Sequence, residues 1–268
     1  MEKKLLFFDI DGTLIDYHNG INDMPKDTIT ALDALRHQGH EVFLATGRCR
    51  CFVPKNILNY PWSGMVSCNG GYATFKHQAI VRYNATKEAI NKVIDLCHQH
   101  HFLYYFENND VIYVPDCSNE RHKELAKNWG MDDDILIDDF DPNTIDCHVA
   151  MVIINHPEEK QILFDELSPY FDVQGHSAWY AFDLTLKDTS KAKGIEKLVK
   201  ALGCSMEDTI AFGDGRNDIE MLQSAHIGIA MGNAVTEAKQ AADYITSNIE
   251  DGGILNACLH FKLIDSQL

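Results

Sequence analysis

Two carboxylates two residues apart, Asp9 and Asp11, follow directly on the apolar run Leu5-Leu6-Phe7-Phe8 and precede Gly12-Thr13-Leu14. At the end of a buried strand the first can act as a nucleophile, and the second as a general acid that then becomes a base. Gly12 permits a sharp turn behind them. An acidic turn is the alternative for D-x-D alone, but D-x-D-G-T straight after an apolar run favours chemistry. Toward the other end of the chain, Gly213-Asp214-Gly215-Arg216-Asn217-Asp218 follows Ile210-Ala211-Phe212. Asp214 and Asp218 are hard oxygen donors of the kind Mg2+ takes together with phosphate and water; a Gly-Asp-Gly turn with an Asp helix cap is the plainer alternative. Thr46-Gly47-Arg48 offers a hydroxyl, a permissive backbone and a cation after a third apolar run, where a Ser or Thr is otherwise a simple helix cap. Lys191 and Lys193 open a helix. An ammonium there can hold a phosphate and balance the carboxylates, or it can be solvated.

Such residues need a scaffold that gathers separate strand ends. Apolar runs stop abruptly at polar or glycine-containing loops: residues 5–8 at Asp9, 42–45 at Thr46, 65–66 through Ser67-Cys68 at Asn69-Gly70-Gly71, 210–212 at Gly213-Asp214, and 227–231 at Gly232-Asn233. Unbroken apolar runs suit strands buried on both faces. Helical patterns lie between them. Residues 25–38 place Ile29, Leu32 and Leu35 on one face, and residues 193–202 place Ile195, Leu198, Val199 and Leu202 likewise, each with a glycine just past its end. Alternating strands and helices imply a parallel sheet covered on both faces, with ligands beyond the carboxyl ends of the strands. Asp9, Thr46, Asn69, Asp214 and Asn233 are thereby expected along one edge.

The middle of the chain alternates instead. Tyr180, Phe182, Leu184 and Leu186 occupy one face at period two, and Glu107-Asn108-Asn109-Asp110 reads as the turn of a hairpin. Helices are expected to start near Thr86, near Ser118 and at Pro157. This pattern predicts an α+β unit, with helices on one face of a mostly antiparallel sheet, inserted into an α/β core of Rossmann type. The expected division is residues 1–80 and 188–268 for the core and 81–187 for the insert.

The 268 residues carry 23 Lys plus Arg against 40 Asp plus Glu, a net charge of −17. That balance argues against nucleic acid and against an anionic membrane surface. It also means that any phosphate site needs local cations. The apolar start, residues 5–8, falls short of the roughly 7–15 residues of a signal-peptide core, and no run approaches the roughly 20 of a membrane helix. The 8 cysteines include no C-x-x-C pair, so free thiols in a cytoplasmic setting are the expectation.

Taken in order, DIDGTL at 9–14, ATGR at 45–48, a lysine at the start of a helix at Lys191, and GDGRND at 213–218 resemble the haloacid dehalogenase superfamily of phosphatases, in the Cof-like branch with an inserted α/β cap of type C2B. The long stretch between Arg48 and Lys191 is where that branch carries its cap. The resemblance implies Mg2+-dependent hydrolysis of small phosphate monoesters, sugar phosphates foremost. Asp9 would be the phosphorylated nucleophile and Asp11 the acid and base. Thr46, Gly47 and Lys191 would hold the phosphoryl oxygens, with Asn217 helping to position the phosphate or Lys191. The metal would be held by the Asp9 carboxylate, the Asp11 carbonyl and Asp214, with Asp218 in or near that shell. Arg48 and Asn69 would face the leaving group. Relatives often show Lys-Gly-x-Gly where this chain has Lys191-Ala192-Lys193-Gly194, and alignment on the second glycine selects Lys191 over Lys193. A phosphotransferase or mutase using the same residues is the alternative, followed by a phosphometabolite sensor without turnover. The partner is expected to be a small phosphate ester, with the chain a monomer or weak homo-oligomer.

Other conspicuous residues have plainer explanations. His98, His100 and His101 read as an exposed helix end. Asp132-Asp133-Asp134 and Asp138-Asp139 read as a solvated loop, since they lack the Gly and terminal Glu of a calcium loop. Trp179 and Tyr180 read as packing residues of the insert.

Overall fold

Strands form in this chain where apolar residues run without interruption, and the glycines and polar residues that follow end them. The computed structural model describes residues 2–128, 131, 133–175 and 180–265. The first elements are β1 (Leu5–Phe8), α1 (Lys26–His37), β2 (Glu41–Ala45), α2 (Lys55–Leu58), β3 (Gly64–Ser67), β4 (Tyr72–Phe75) and β5 (Gln78–Arg82). The middle of the chain gives α3 (Lys87–His100), β6 (Leu103–Glu107), β7 (Ile112–Tyr113), α4 (Glu120–Asn128), β8 (Leu136–Ile137), β9 (Val149–Ile153), α5 (Lys160–Leu167), β10 (Phe171–Gly175) and β11 (Ala181–Leu186). The last part gives α6 (Lys191–Ala201), β12 (Thr209–Gly213), α7 (Ile219–Ser224), β13 (Ile227–Ala230), α8 (Thr236–Ala241), β14 (Tyr244–Ile245) and α9 (Gly253–His260). No helix among the described residues is long and apolar enough to cross a membrane.

The chain divides into two compact units. The first comprises Met1–Gly47, Val53–Val81 and Ser190–Leu268, and the second Arg48–Phe52 and Arg82–Thr189. The first unit is built on an eight-stranded sheet in the order β14-β13-β12-β1-β2-β3-β4-β5. Its central pairs are parallel, with Leu5 opposite both Thr209 and Glu41, and Phe8 opposite both Phe212 and Leu44. The strands β1 and β12 are buried at every residue, as expected of a parallel sheet covered on both faces. Cross-strand aromatic stacks lock the register: Phe7 on Phe43 at 4.9 Å and Phe8 on Phe212 at 4.7 Å between ring centroids. The expected α/β core is thus present.

Two helices differ in detail from the sequence pattern. In α1 the buried residues are Thr28, Ala31, Leu32, Ala34 and Leu35, while Ile29 is exposed. Thr28, Ala31, Leu32 and Leu35 are spaced i, i+3, i+4, i+7, a single stripe, and Ile29 lies about 100° around the helix from Thr28. The helix α6 begins at Lys191, two residues before the pattern suggests, because the Ser190 side chain caps it by accepting from Lys193 N.

The second unit holds a six-stranded sheet in the order β10-β11-β9-β6-β7-β8. Its pairs are antiparallel except for β7 with β8. Residues 103–107 and 112–113 form the expected hairpin around 108–111. The expectation of helices on one face needs correction. One face packs Tyr104, Phe106, Val152, Phe182 and Leu184 against Ile90 and Val93 of α3 and Leu163 and Leu167 of α5. The other buries Leu103, Tyr105, Met151 and Ile153 with Leu125 of α4 and with Cys51 and Phe52. Residues 103–107 are apolar on both faces up to Glu107, so both faces require cover. Tyr180 is another correction: it precedes β11, is 48% exposed, and lines a cavity with Arg121, Glu124, Leu125 and Asn155. Trp179 and Asp132 lie outside the described residues. Asp133 and Asp134 are exposed, and His101 ends α3 in a left-handed conformation with its N–H on Cys97 O.

The stacked phenylalanines carry a measurable expectation. Phe7→Ala should reduce stability by about 3–5 kcal/mol, read as a shift in chemical unfolding. A loss under about 1 kcal/mol would mean that this stack does not hold the central strands.

Candidate active site

The register of β1 with β2 and β12 brings three strand ends side by side. Asp9 continues the ladder by donating its N–H to Phe212 O at 3.0 Å, and its residue is only 5% exposed. At the end of β2, Thr46 is 1% exposed and donates its N–H to Val66 O at 2.8 Å. Asn69, in a left-handed turn after β3, donates its N–H to Thr46 O at 3.3 Å. A Cβ on Gly47 would stand 3.1 Å from Asn69 Oδ1, so Thr46, Gly47 and Asn69 form one pair of touching loops.

Lys191 enters from the first turn of α6. It is 1% exposed, and its Nζ donates to Asp9 Oδ1 and to Asp218 Oδ1, both at 2.6 Å. Burial alone would lower its pKa, but the facing Asp218 and Asp9 outweigh that and raise it, so the ammonium stays charged. Lys193 points to solvent. The helix start is fixed by an unusually close backbone approach. A Cβ on Gly70, whose φ is +85°, would lie 2.0 Å from Ser190 O, and one on Gly194 would lie 2.7 Å from Gly70 Cα. Only glycine fits at either position, and Gly194 thereby sets the turn from which Lys191 projects.

Asp9, Asp214 and Asp218 each offer a carboxylate oxygen within 4.8 Å of the others. Three carboxylates face one ammonium. Burial, then Asp218, pushes Asp9 well above the usual carboxylate range against the opposing pull of Lys191. Burial and Asp218 likewise push Asp214 up to about 7. Such a cluster suits a divalent cation, which would supply the missing positive charge through hard oxygen donors. Thr13 Oγ1 orients Asp214 by donating to its Oδ1 at 3.1 Å. Gly12, with φ +86°, leaves the room: a Cβ there would overlap Asp214 Oδ2 at 2.0 Å. Asn233 Nδ2 donates to Gly12 O at 2.7 Å, and its Oδ1 accepts from Ile249 N at 3.3 Å, tying this loop to the chain beyond β14.

Asp11 is exposed and outside the three-carboxylate group, and its carboxylate is close enough to raise the pKa of Asp214. Asp218 is fully buried and uses Oδ1 on Lys191 and Oδ2 on the amides of Asp214 and Gly215 at 2.9 Å each. It therefore shapes the loop after β12 as well as facing the cluster. Asn217 is exposed, and the lysine is held by Asp9 and Asp218. Arg48 belongs to the second unit and donates from Nη1 to Phe52 O at 2.9 Å. The sequence contained Thr13 inside D-x-D-G-T and Asn233 at a strand end, but nothing local announced that one would orient Asp214 and the other hold Gly12.

Residues 6–258 match the haloacid dehalogenase-like hydrolase family. The chain is 30% identical to YkrA of Bacillus subtilis strain 168, over 98% of this chain and 100% of that protein. It is 27% identical to the 5-amino-6-(5-phospho-D-ribitylamino)uracil phosphatase YitU of the same organism, over 95% and 96%. The solved structure of BT4131, described as a sugar phosphatase of haloacid dehalogenase subclass IIB, superposes with a TM-score of 0.81 at 30% identity, covering 98% of this chain and 100% of that one. The chain belongs to the haloacid dehalogenase-like hydrolase family. Within it, the chain is a phosphoric monoester hydrolase.

Two outcomes follow from the acidic cluster. Gly12→Ala should push Asp214 aside and weaken divalent-cation affinity by about 10–100-fold, read as the cation-induced rise in melting temperature; an unchanged rise would show that the carboxylate is not held here. A raised carboxyl pKa gives stability that is complete below its unfolded value of about 3.9 and lost as pH rises through about 7. Without metal, Asp214→Asn should therefore gain in melting temperature over wild type as pH rises from about 5 to about 8. A gap that stays constant would remove Asp214 as the titrating group.

Proposed function

We propose that this chain hydrolyses small phosphate monoesters, sugar and related polyol phosphates foremost, with Mg2+ and through a phosphoryl group carried on Asp9. The observation that carries the proposal is the buried Asp9 held by Lys191 beside Asp214 and Asp218. Phosphoryl transfer is chiefly positioning and charge stabilisation. Asp9, Asp214 and the Asp11 carbonyl would hold Mg2+, which would supply the positive charge that lets both carboxylates ionise beside a phosphate dianion. The remaining work falls to this chain's own residues. Lys191 fixes the Asp9 carboxylate through one oxygen and stands ready beside incoming phosphoryl oxygens, with Thr46 and Gly47 on the neighbouring strand end.

Asp9 attacks phosphorus as the ester P–O bond breaks, and Asp11 gives its proton to the departing alcohol. Asp11 then takes a proton from water as that water attacks the phosphorus of the acyl phosphate. Inorganic phosphate leaves, and Asp9 is regenerated. The exposure of Asp11 suits a group that must exchange protons with the leaving alcohol and with water in turn. Arg48 and Asn69 are the proposed contacts to the leaving group. The preference for sugar and polyol phosphates is supported by the names of two relatives, one a sugar phosphatase and one a phosphatase of a phosphoribityl compound. All cysteines are free thiols, which fits the cytoplasmic setting included in the proposal.

The test is phosphate release from hexose, pentose, triose and nucleotide monophosphates, with and without Mg2+. Wild type should release phosphate from sugar phosphates only with Mg2+ and without any acceptor sugar. Asp9→Asn should lower kcat by at least about a thousandfold. Transfer to an added sugar without release to water would replace hydrolysis by phosphotransfer, and full activity in Asp9→Asn would remove the nucleophile.

A further inference from the structure

Residues 48–52, which belong to the second unit, carry two cysteines on either side of Arg50. Their Sγ atoms stand 3.1 Å apart. A disulfide bond is about 2.05 Å long, so closure asks for roughly 1 Å of movement. The backbone already makes the required bend: Phe52 N donates to Cys49 O at 3.0 Å, and Arg48 Nη1 donates to Phe52 O at 2.9 Å. Two Cα steps of about 3.8 Å, bent in this way, fall within the about 4.4–6.8 Å that a disulfide spans.

The surroundings divide the two thiols. Cys49 is fully buried, and its thiol donates to Oε2 of the buried Glu107 at 3.2 Å. Cys51 is only partly buried, and its backbone N–H donates to Asn109 O at 3.1 Å. Arg50 adds an ion pair to Asp110 at 3.2 Å. The turn is thus latched onto the hairpin between β6 and β7 by both thiols, that of Cys49 on Glu107 and that of Cys51 on Asn108 O at 3.9 Å, with one amide and one exposed ion pair.

We infer that Cys49 and Cys51 form a reversible dithiol–disulfide site whose oxidation loosens this latch. Cys51 meets the oxidant, a peroxide, because it is the more accessible sulfur. Its thiolate attacks one peroxide oxygen and displaces hydroxide, giving the sulfenic acid. The Cys49 sulfur then attacks the Cys51 sulfur and expels the bound oxygen as water, forming S–S. Two thiols are oxidised, one hydrogen peroxide is reduced to two waters, and both thiol protons end in water. A small dithiol reverses the step by exchange.

Oxidation removes the S–H that Cys49 gives to Glu107, so a buried carboxylate oxygen loses that donor. Residues 49–51 are also drawn together, which strains a segment bonded directly to Thr46-Gly47-Arg48. The effect on turnover rests on the proposed phosphatase reading, in which that loop holds the phosphoryl oxygens.

The test uses the full chain in a Cys204→Ser background, because Cys204 is exposed and could link two chains. Reduced protein is treated with hydrogen peroxide, alkylated and cut with trypsin. Cleavage at Arg50 separates the two cysteines, so the disulfide appears as two peptides still joined. Exchange of the Cys51 amide and kcat/KM on a sugar phosphate are followed in parallel. The expected result is the joined peptides, faster exchange at Cys51, and kcat/KM lower by about tenfold or more, since an ångström of misplacement can cost up to about a hundredfold. All three should revert with dithiothreitol, and Cys51→Ser should keep its activity under peroxide. The inference is overturned if both thiols stay reduced while Cys204 of the unsubstituted chain oxidises, or if the disulfide forms with exchange and kcat/KM unchanged. Should the reduced protein release no phosphate from any ester, the phosphatase reading falls, and the peptide and exchange results still decide the dithiol site.

Discussion

A lysine ammonium buried between carboxylates is the interaction on which the first unit is organised. Lys191 is almost without solvent contact, and an isolated buried charge of that kind is not tolerated. It is tolerated here because Asp9 and Asp218 each bind it at 2.6 Å. The lysine and its two partners come from three different parts of the chain, so satisfying one ammonium requires the end of β1, the turn after β12 and the start of α6 to meet at one point. The converse also holds. Asp9 and Asp218 could not both be buried as anions without Lys191, and even with it the site retains more negative than positive charge. Burial first, and then the charge of Asp218, raises the pKa values of Asp9 and Asp214, and the residual imbalance makes the cluster a place for a cation.

The scaffold answers this electrostatic demand with close contacts that leave little freedom. Gly70 and Gly194 let the turn after β3 touch the first turn of α6, and Ser190 caps that turn. Gly12 lets Asp214 lie against the loop after β1, and Asn233 holds the same loop by its carbonyl. Each contact is made by a residue whose type is dictated by space or by the need to donate and accept at once. A preorganised set of donors costs nothing to reorganise when a phosphate arrives.

The second unit follows a different logic. Its sheet is mostly antiparallel, yet both faces are buried because its central strands carry apolar side chains in both directions. Two helices cover one face. The other is covered by α4 and by a short turn borrowed from the chain just after Thr46-Gly47. That borrowed turn is the least expected feature of the organisation, and it gives the adjacent cysteines their surroundings.

Much of this was legible in the residues themselves. Apolar runs ending at Asp9, Thr46 and Asp214 define strands and their polar ends, because strand burial and chain reversal are local properties of sequence. The parallel core, the alternation of the middle segment and the carboxylates able to act as nucleophile or ligand follow from that alone. Other features were decided only when distant segments met. The lysine that reaches the carboxylates is Lys191, bonded to Asp9 across 182 residues. Thr13 orients Asp214 across 201 residues, and Asn233 holds Gly12 across 221. The cover on the second face of the inserted sheet, like the exposure of Ile29 and Tyr180, depends on which neighbours arrive. Local sequence fixes what a residue can do, whereas partner, burial and pKa depend on atoms contributed from elsewhere in the chain, and these only the tertiary structure supplies.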